Sequence, residues 1–312
     1  MRVHFASPID QGALERLSAR FDVSTSSDQR GLEAGIRSAD ILGFRSGIQV
    51  HGQALRAARH LKLLVRAGSG LDNVDVDVVR SEGMRLVRIP GPGAQAVAEM
   101  TIGLILAVSR RIVQADRTMR LGEWNKHELT GRLVSTRTLG IVGVGSIGSR
   151  VALLGSALGM RVVGCSKNGN LPRVAGVEYL PTEQVAENSD IVSLHVPLDA
   201  STRHMVDATF LARMRPGSIL VNTARGDVVD ESALVEALAS GHLAGAALDV
   251  HASEGGGMVS PLARFESVVM TPHIGAMAHD SQIQIGNRAI ALIDAFLEDR
   301  LEEEAAPEEL VV

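Results

Sequence analysis

The chain has 312 residues, of which 45% are hydrophobic and 21% charged, and its formal net charge is −5. This balance is that of an ordinary globular protein, and the length allows two domains that each bury a core. The acidic balance and the 3% aromatic content, without a basic block interleaved with aromatic residues, argue against nucleic acid as a partner.

Neither a membrane span nor an export signal is predicted. The longest apolar stretch, near residues 102–108, is short and runs into Ser109-Arg110-Arg111. The residues from Met1 to Pro8 lack the apolar region of a signal peptide. The single cysteine, Cys165, excludes an internal disulfide and is too isolated for a metal site. We therefore expect a cytoplasmic protein with no membrane partner and no metal.

Strand and helix patterns alternate along the chain, which predicts parallel sheets with helices on their faces. The first part carries predicted strands at residues 3–6, 41–44, 63–66 and 85–87, with helical stretches at 11–19 and 53–58. The segment Ile89-Pro-Gly-Pro-Gly93 is a strong breaker and ends this doubly wound unit.

A second unit follows the breaker. Residues 94–119 contain no proline and one interior glycine, so they predict a single long helix. Further strands are predicted at 138–142, 161–165, 191–194, 218–221, 244–248 and 268–270. The helical pattern over 278–297 is expected to return to the first domain. The acidic residues 298–309 predict a solvated helix end and a frayed tail.

Three glycines, Gly143, Gly145 and Gly148, lie between the predicted strand 138–142 and a helical pattern that begins at Ser146. In such a turn the first glycine allows the sharp bend, the second lets backbone approach a pyrophosphate, and the third lets the helix pack closely on the sheet. Amides at the helix start would hold the phosphates. The spacing alone is weak among 32 glycines, but its position between strand and helix predicts a dinucleotide site.

Four chemically active side chains follow predicted strands, at the sheet edge where ligands bind in open α/β folds. Arg225 offers a planar fork that can bind a carboxylate and polarise an adjacent carbonyl. His273 can exchange protons near neutral pH. Asp249 and Glu254 follow a third strand, and a carboxylate beside His273 would fix its tautomer and favour the protonated ring. Each residue alone is compatible with an ordinary loop, but the combination is much rarer.

The segments Asn222-Thr-Ala-Arg-Gly-Asp227, Ala247-Leu-Asp-Val250 and Thr271-Pro-His-Ile-Gly275, in this order after the glycines, resemble the D-isomer-specific 2-hydroxyacid dehydrogenase family. The resemblance covers nearly the whole chain and extends to the segments Arg66-Ala-Gly-Ser-Gly-Leu-Asp-Asn-Val-Asp75, Ala98-Glu99 and Leu194-His-Val-Pro197. Within the family, Arg45-Ser46 and the 66–75 loop are most similar to the phosphoglycerate dehydrogenase branch.

The resemblance implies an α/β protein with two doubly wound, Rossmann-like domains. The substrate-binding (catalytic) domain would be discontinuous and comprise residues 1–92 and 281–312, while residues 93–280 would bind the dinucleotide.

It also implies that Arg225, Glu254 and His273 are catalytic, in hydride transfer between a nicotinamide and C2 of a small 2-oxo acid. His273 would protonate the substrate oxygen, and Glu254 would hold His273 in the imidazolium form. The substrate-binding residues would be Arg45, Ser69, Gly70 and Arg225, with the substrate carboxylate on Arg225 and on amides near Ser69 and Gly70.

For the cofactor, the resemblance implies that Asp249 anchors the nicotinamide carboxamide and that Thr223 and Ala224 line the ring. The remaining contacts would come from Gly143, Gly145, Ser146, Ile147, Gly148, Val196, Pro197 and Gly275.

The chain departs from an NAD-specific pattern about 20 residues after the glycines, where an acidic residue usually binds the ribose 2′-OH. Ser166 occupies this position, and Lys167 and Asn168 follow. Without the carboxylate a 2′-phosphate is not repelled, and Lys167 adds an attractive charge. The sequence therefore predicts that NADP(H) is favoured over NAD(H). The alternative is a solvated loop lysine and weak selectivity.

The substrate remains open, because Gly255-Gly256-Gly257 follows Glu254 where the family commonly has a proline, and Met100 follows Glu99 where histidine is common. The first hypothesis is reduction of hydroxypyruvate or glyoxylate. The second is a D-3-phosphoglycerate dehydrogenase, favoured by Arg45. A third, of another class, is a dinucleotide-sensing protein like the family's transcriptional corepressors.

Residues 121–137, with Trp124 and few helix signals, resemble the intersubunit arm of the family. The resemblance implies a homodimer, and an ordinary surface loop is the alternative.

Overall fold

The computed structural model describes residues 1–167, 173–257 and 259–312. The chain forms two compact units: unit 1 is Met1–Gly93 with Ala276–Val312, and unit 2 is Ala94–Gly275. Both are α/β with parallel sheets, as the sequence predicts, and unit 1 is discontinuous. The sequence places the boundaries at 92/93 and 280/281, whereas the structure places them at 93/94 and 275/276.

Unit 1 contains, within the described residues, a five-stranded parallel sheet in the order β2-β1-β3-β4-β5. Its strands are β1 Arg2–Phe5, β2 Asp22–Thr25, β3 Ile41–Phe44, β4 Leu63–Arg66 and β5 Arg85–Arg88. Its helices are α1 Gln11–Ser18, α2 Gln29–Gly35, α3 Gly52–Ala57, α4 Val76–Ser81, α11 His279–Leu297 and α12 Leu301–Glu304. The strands β3 and β4 are buried along their whole length, as parallel strands covered on both faces are.

The helix α11 belongs to unit 1, which explains the discontinuity. Its apolar residues Ile285, Leu292 and Ile293 share one core cluster with Val3 and Leu63 of the sheet. The helix predicted over 278–297 is therefore present with almost the same bounds.

The tail after α11 corrects the expectation of a frayed end. Leu310 pairs antiparallel with Val87, and the amide of Arg88 donates to the carbonyl of Glu309 at 2.8 Å. Residues 306–312 thus cover the open edge of β5, which otherwise exposes unpaired backbone groups. The acidic composition of residues 298–309 concealed this, because the backbone makes the pairing.

Unit 2 contains, in its described part, a seven-stranded parallel sheet in the order β12-β11-β10-β9-β6-β7-β8. Its strands are β6 Thr138–Val142, β7 Arg161–Cys165, β8 Val177–Tyr179, β9 Ile191–Leu194, β10 Ser218–Asn222, β11 Leu243–Leu248 and β12 Val268–Met270. Its helices are α6 Ile112–Arg120, α7 Ser146–Ala157, α8 Thr182–Asn188, α9 Ala208–Arg213 and α10 Glu231–Ala239, and α5 Gly91–Ser109 begins just before the unit. The strand order reverses beside β6, where open α/β sheets bind ligands.

The prediction of a single helix over residues 94–119 is wrong. The structure has α5 from Gly91 to Ser109 and a separate α6, and Arg111 between them has a φ of +53°. That left-handed conformation breaks the helical hydrogen bonding, although the composition of the segment is helical throughout.

By length and composition, α5 is also the one helix of the described residues that could cross a membrane, with a mean hydropathy of 1.3. The sequence predicts no such segment, because the uninterrupted apolar run within this helix is short. Ala98, Leu104 and Ile105 of α5 lie in the core cluster of unit 2, and core helices of globular proteins meet the same criterion.

Two strands were not predicted, β2 and β8. Both lie at sheet edges, and most residues of β2 are exposed. Edge strands with exposed side chains lack the apolar signal on which strand prediction depends.

Candidate active site

The turn after β6 has the geometry that its glycines predict. Gly143 has a φ of +101°, and a Cβ there would lie 2.6 Å from the carbonyl oxygen of His195. A Cβ on Gly148 would lie 2.2 Å from the carbonyl oxygen of Gly143. Only glycine allows the start of α7 to pack this closely on the turn.

Gly145 differs from the other two. A Cβ on Gly145 would meet no atom of the described residues within 4 Å, so packing of the protein does not require glycine there. Gly145 is the N-cap of α7, and no described side chain caps this end of the helix. The first amides, including those of Ser146 and Ile147, point out of the helix start, where an anion is stabilised. The turn therefore fits a dinucleotide pyrophosphate.

The neighbouring loop after β9 borders the same turn. A Cβ on Gly143 would lie 3.0 Å from the Cγ1 of Val196, and Pro197 follows on the exposed side. The carbonyl of Pro197 accepts a hydrogen bond from the Thr202 hydroxyl at 2.7 Å, which holds the loop.

Lys167 lies near a carboxylate that the sequence did not indicate. Its Nζ donates to the Ser201 hydroxyl at 2.9 Å, and that hydroxyl donates to Asp199 at 2.6 Å. Hydrogen bonds from the Ser201 side chain and backbone, together with the charge of Lys167, hold the pKa of Asp199 below its usual value. Ser166 directly follows β7, while Asn168 lies outside the described residues.

His273 and Glu254 form a close pair. The Nδ1 of His273 lies 2.8 and 3.0 Å from the two carboxylate oxygens of Glu254, so Nδ1 carries the donated hydrogen and Nε2 faces away. Burial alone would raise the pKa of Glu254, but the hydrogen bond and charge of His273 outweigh it and lower this pKa. Both side chains remain partly exposed, at 24% for His273 and 35% for Glu254.

Asp249 holds the loop that carries His273. Its side chain is buried and accepts hydrogen bonds from the Thr271 hydroxyl at 2.6 Å, the Ile274 amide at 2.9 Å and the Gly275 amide at 2.7 Å. A Cβ on Gly275 would lie 2.8 Å from this carboxylate. The structure thus shows Asp249 engaged by its own protein, and its implied contact with a carboxamide would use the remaining acceptor capacity.

The turn that carries Arg225 is fixed by Asn222, which the sequence did not indicate as functional. The Asn222 side chain accepts from the Ala224 amide at 3.0 Å and donates to the Arg225 carbonyl at 2.8 Å. The Nη1 of Arg225 donates to the Ala224 carbonyl at 2.7 Å. The carbonyl of Asn222 also accepts from the Asp249 amide at 2.9 Å, which joins this turn to the next strand end.

A second residue missed by sequence reasoning is Thr101, on α5. Its hydroxyl lies 3.0 Å from that of Thr223, and both side chains are buried. A signal for Asn222 was available, since asparagine often hydrogen-bonds its own turn. Nothing in the sequence relates Thr101 to Thr223, 122 residues away.

The structure places the strands before Arg225, Asp249 and His273 side by side, as β10, β11 and β12. These three residues and Glu254 belong to unit 2, at the carboxyl ends of adjacent strands.

In unit 1, Ser69 and Gly70 follow β4. Arg45 follows β3 and is half-buried, and burial lowers the pKa of its guanidinium. Its side chain donates to Gln282, and its amide donates to the Ser7 hydroxyl at 3.1 Å.

Residues 102–275 match the family described as D-isomer specific 2-hydroxyacid dehydrogenase, NAD binding domain. A hydroxypyruvate reductase of Thermotoga maritima is 37% identical over 91% of this chain and 94% of its own length. A D-3-phosphoglycerate dehydrogenase of Methanocaldococcus jannaschii is 34% identical over 97% of this chain, which spans only 59% of that relative.

Among solved structures, D-lactate dehydrogenase from Aquifex aeolicus, complexed with NAD and lactic acid, matches with a TM-score of 0.89. It is 28% identical and is covered over 99% of its length by the whole of this chain. The chain therefore belongs to the D-isomer specific 2-hydroxyacid dehydrogenase family, and it is an oxidoreductase that acts on a CH–OH group with a nicotinamide dinucleotide.

Proposed function

We propose that this dehydrogenase reduces a small 2-oxo acid of the hydroxypyruvate or glyoxylate type to the D-2-hydroxy acid. The observation that carries the proposal is the pair of His273 and Glu254, joined at 2.8 Å at the end of the sheet. Because Nδ1 is held by the carboxylate, Nε2 is the ring atom that donates a proton to the substrate oxygen.

In this chemistry a bound nicotinamide dinucleotide supplies the hydride that C2 of the substrate accepts. His273 supplies the proton to the carbonyl oxygen, and Glu254 stabilises the imidazolium from which that proton leaves. Arg225 binds the substrate carboxylate and stabilises the negative charge that develops on the adjacent oxygen. In unit 1, the amides of Ser69 and Gly70 donate to the carboxylate.

The cofactor-binding residues would be the glycine turn and the amides at the start of α7, with Val196 and Pro197 beside the ribose. Thr223, held by Thr101, and Ala224 would line the nicotinamide ring. Asp249 and Gly275 would bound the same end of the cofactor.

We further propose that NADP(H) is favoured over NAD(H). Ser166 leaves the 2′-position without a repelling carboxylate on β7, and Lys167 supplies a positive charge. Asp199 is connected to Lys167 through the Ser201 hydroxyl, and its negative charge weakens the attraction of Lys167 for a 2′-phosphate.

The second candidate is oxidation of D-3-phosphoglycerate. Arg45 favours it, because a half-buried guanidinium beside the substrate loop can bind a phosphate. The two candidate functions differ in their substrates, since only this one needs a phosphorylated substrate.

The test is a panel of substrates measured with each cofactor. We expect kcat/KM for hydroxypyruvate or glyoxylate to exceed that for 3-phosphoglycerate oxidation, and NADPH to be preferred to NADH. The Lys167→Ala variant should lose most of that preference, while Lys62→Ala, an exposed lysine of unit 1, should keep it. A clear preference for NADH overturns the cofactor proposal. Tight dinucleotide binding without turnover of any 2-oxo acid would instead support a sensor.

We also propose that the protein is a homodimer. The exposed apolar side chains of residues 112–133 in unit 2 support this proposal.

A further inference from the structure

Arg88, at the end of β5, connects two segments of unit 1 through its side chain. Its Nη1 donates to the carbonyl of Ser69 at 3.1 Å, and its Nε donates to the carbonyl of Glu308 at 2.7 Å. We infer that Arg88 is a positioning residue for the substrate carboxylate, because it fixes the peptide group between Ser69 and Gly70. This inference rests on the proposed function, in which the amide of Gly70 binds that carboxylate.

The physical reason lies in the peptide group itself. The carbonyl of Ser69 and the amide of Gly70 belong to one planar, trans unit, so the oxygen and the N–H point in opposite directions. Fixing the oxygen therefore fixes the direction in which the Gly70 amide donates. A positive donor on the carbonyl also polarises the unit and strengthens the amide as a donor.

The backbone around this peptide group is already held on one side. The amide of Ile89 donates to the carbonyls of Arg66 at 3.0 Å and Gly68 at 3.2 Å. These bonds anchor the start of the loop, and the structure assigns to Arg88 the next carbonyl along the chain. Ser69 is exposed, so without Arg88 its carbonyl would turn toward water.

Hydrogen bonds to residues 306–312 orient Arg88 itself. Its amide donates to the carbonyl of Glu309 at 2.8 Å, beside the contact of its side chain with Glu308. The segment that covers the edge of β5 thus provides the second acceptor for the guanidinium. An arginine suits this position because its planar fork reaches two carbonyls at once, which a lysine cannot do in fixed geometry.

Arg85, on the same strand, provides a matched control. Its Nε donates to the carbonyl of Val312 at 3.0 Å, and its Nη2 lies 2.5 Å from Glu302. Arg85 therefore binds the same covering segment as Arg88, but its contacts with Val312 and Glu302 lie away from the substrate loop. Loss of either arginine weakens the attachment of the segment, and only loss of Arg88 releases the Ser69 carbonyl.

The experiment compares Arg88→Met, Arg88→Lys and Arg85→Met with the full-length wild type. Four quantities are measured: the melting temperature, KM for the 2-oxo acid, KM for the dinucleotide, and the Kd of oxalate by calorimetry with the dinucleotide present. We expect Arg88→Met to raise KM for the 2-oxo acid and the Kd of oxalate about tenfold, the effect of one well-placed hydrogen bond. KM for the dinucleotide should stay unchanged.

Arg85→Met should lower the melting temperature as much as Arg88→Met does and leave oxalate binding as in the wild type. Arg88→Lys keeps the charge and should give an intermediate Kd, which maintains the test if Arg88→Met does not fold. If the wild type binds oxalate and both Arg88 variants bind it equally well, the inference is wrong and the proposed function stands. If the wild type neither turns over a 2-oxo acid nor binds oxalate, both fail.

Discussion

His273 has an unusual backbone conformation, and the structure shows what holds it. Its φ of +54° lies in the left-handed region, which costs a residue other than glycine about 1–3 kcal/mol. The amide of His273 donates to the Asp249 carbonyl at 2.7 Å, and the Asp249 side chain accepts from the Thr271 hydroxyl and the Ile274 amide. In this conformation the imidazole contacts Glu254, so the proposed catalytic pair depends on a buried carboxylate.

We predict that Asp249→Asn lowers both stability and turnover. The side-chain amide of asparagine has one acceptor oxygen where the carboxylate has two. At least one of the three donors from the 271–275 loop therefore becomes a buried donor without a partner. An unsatisfied buried donor costs about 1–3 kcal/mol. The melting temperature should fall by several degrees, and kcat should fall about tenfold or more as His273 loses its orientation.

The matched control for this prediction is Asp22→Asn, whose carboxylate on β2 is exposed. It should change neither the melting temperature nor kcat. A fully active Asp249→Asn enzyme would contradict the positioning role and leave only a contact with the cofactor.

For single residues, the sequence predicted the catalytic candidates but not the residues that hold the site by hydrogen bonds. Arg225, Glu254 and His273 could be proposed because their chemistry and their places after strands are visible in the sequence. Asp199 and Thr101 could not, because the side-chain hydrogen bonds that connect Lys167 to Asp199 through Ser201, and Thr101 to Thr223, leave no periodic or compositional signal. Their function as site residues stays a prediction.

At the scale of elements, the segment 306–312 is attached by a charged cluster as well as by backbone pairing. Arg288 on α11 donates to both carboxylate oxygens of Glu309, at 3.0 and 2.7 Å, and also binds Glu304. Glu309 is 8% exposed, and its carboxylate accepts from the Ala306 amide at 2.9 Å. The cluster fixes the segment to α11, while its backbone covers β5.

We predict that Glu309→Gln destabilises the protein near neutral pH by about 2 kcal/mol, since hydrogen bonds to charged groups contribute this much. Burial would raise the pKa of Glu309, but hydrogen bonds from Arg288 and Ala306 outweigh it, so the pKa lies below the ordinary 4.5. A lowered pKa in the folded state means that the stabilisation is complete above 4.5 and is lost as pH falls through the lower, folded value.

The measurement is urea unfolding of the wild type and Glu309→Gln between neutral and acidic pH. The difference in free energy of unfolding should shrink as pH falls below 4.5. Glu308→Gln, an exposed neighbour, should match the wild type at every pH. A difference that persists unchanged in acid would show that charge at Glu309 does not stabilise the fold.

The elements with an apolar period were predicted with nearly correct bounds, and the exceptions have local causes. The β3 and β4 strands and the α11 helix carry buried faces that the sequence shows directly. The break between α5 and α6 depends on one residue, Arg111, in a left-handed conformation that its side chain does not favour. The attachment of the tail depends on backbone pairing, which is independent of side-chain type, and on contacts between Arg288 and Glu309 that have no periodic signal.

At the scale of the whole molecule, the exposed surface of unit 2 supports the proposed homodimer. The helix α6 buries none of its described residues, and Ile112 and Val113 are 52% and 50% exposed. The following segment exposes Leu121, Trp124 and Leu133 at 63% or more. Large apolar side chains clustered on a surface mark an interaction site. A second copy of this chain is the proposed occupant.

We therefore predict a mass of twice 33.0 kDa by light scattering. Trp124→Glu should shift the mass toward the monomer, because a charge would be buried in the interface. Leu153→Glu, at an exposed leucine of α7 that is not part of residues 112–133, should remain a dimer. A monomeric wild type would show that residues 121–137 form an ordinary surface loop.

The central claim is that His273, held by Glu254, donates the proton in reduction of a 2-oxo acid. The most direct test is the rate of NADPH oxidation with hydroxypyruvate by the wild type and by His273→Ala, with dinucleotide affinity measured in both. We predict that the wild type forms the D-hydroxy acid, and that His273→Ala binds the dinucleotide normally but turns over about 10²- to 10⁴-fold more slowly. A His273→Ala enzyme that retains the wild-type rate would contradict the account.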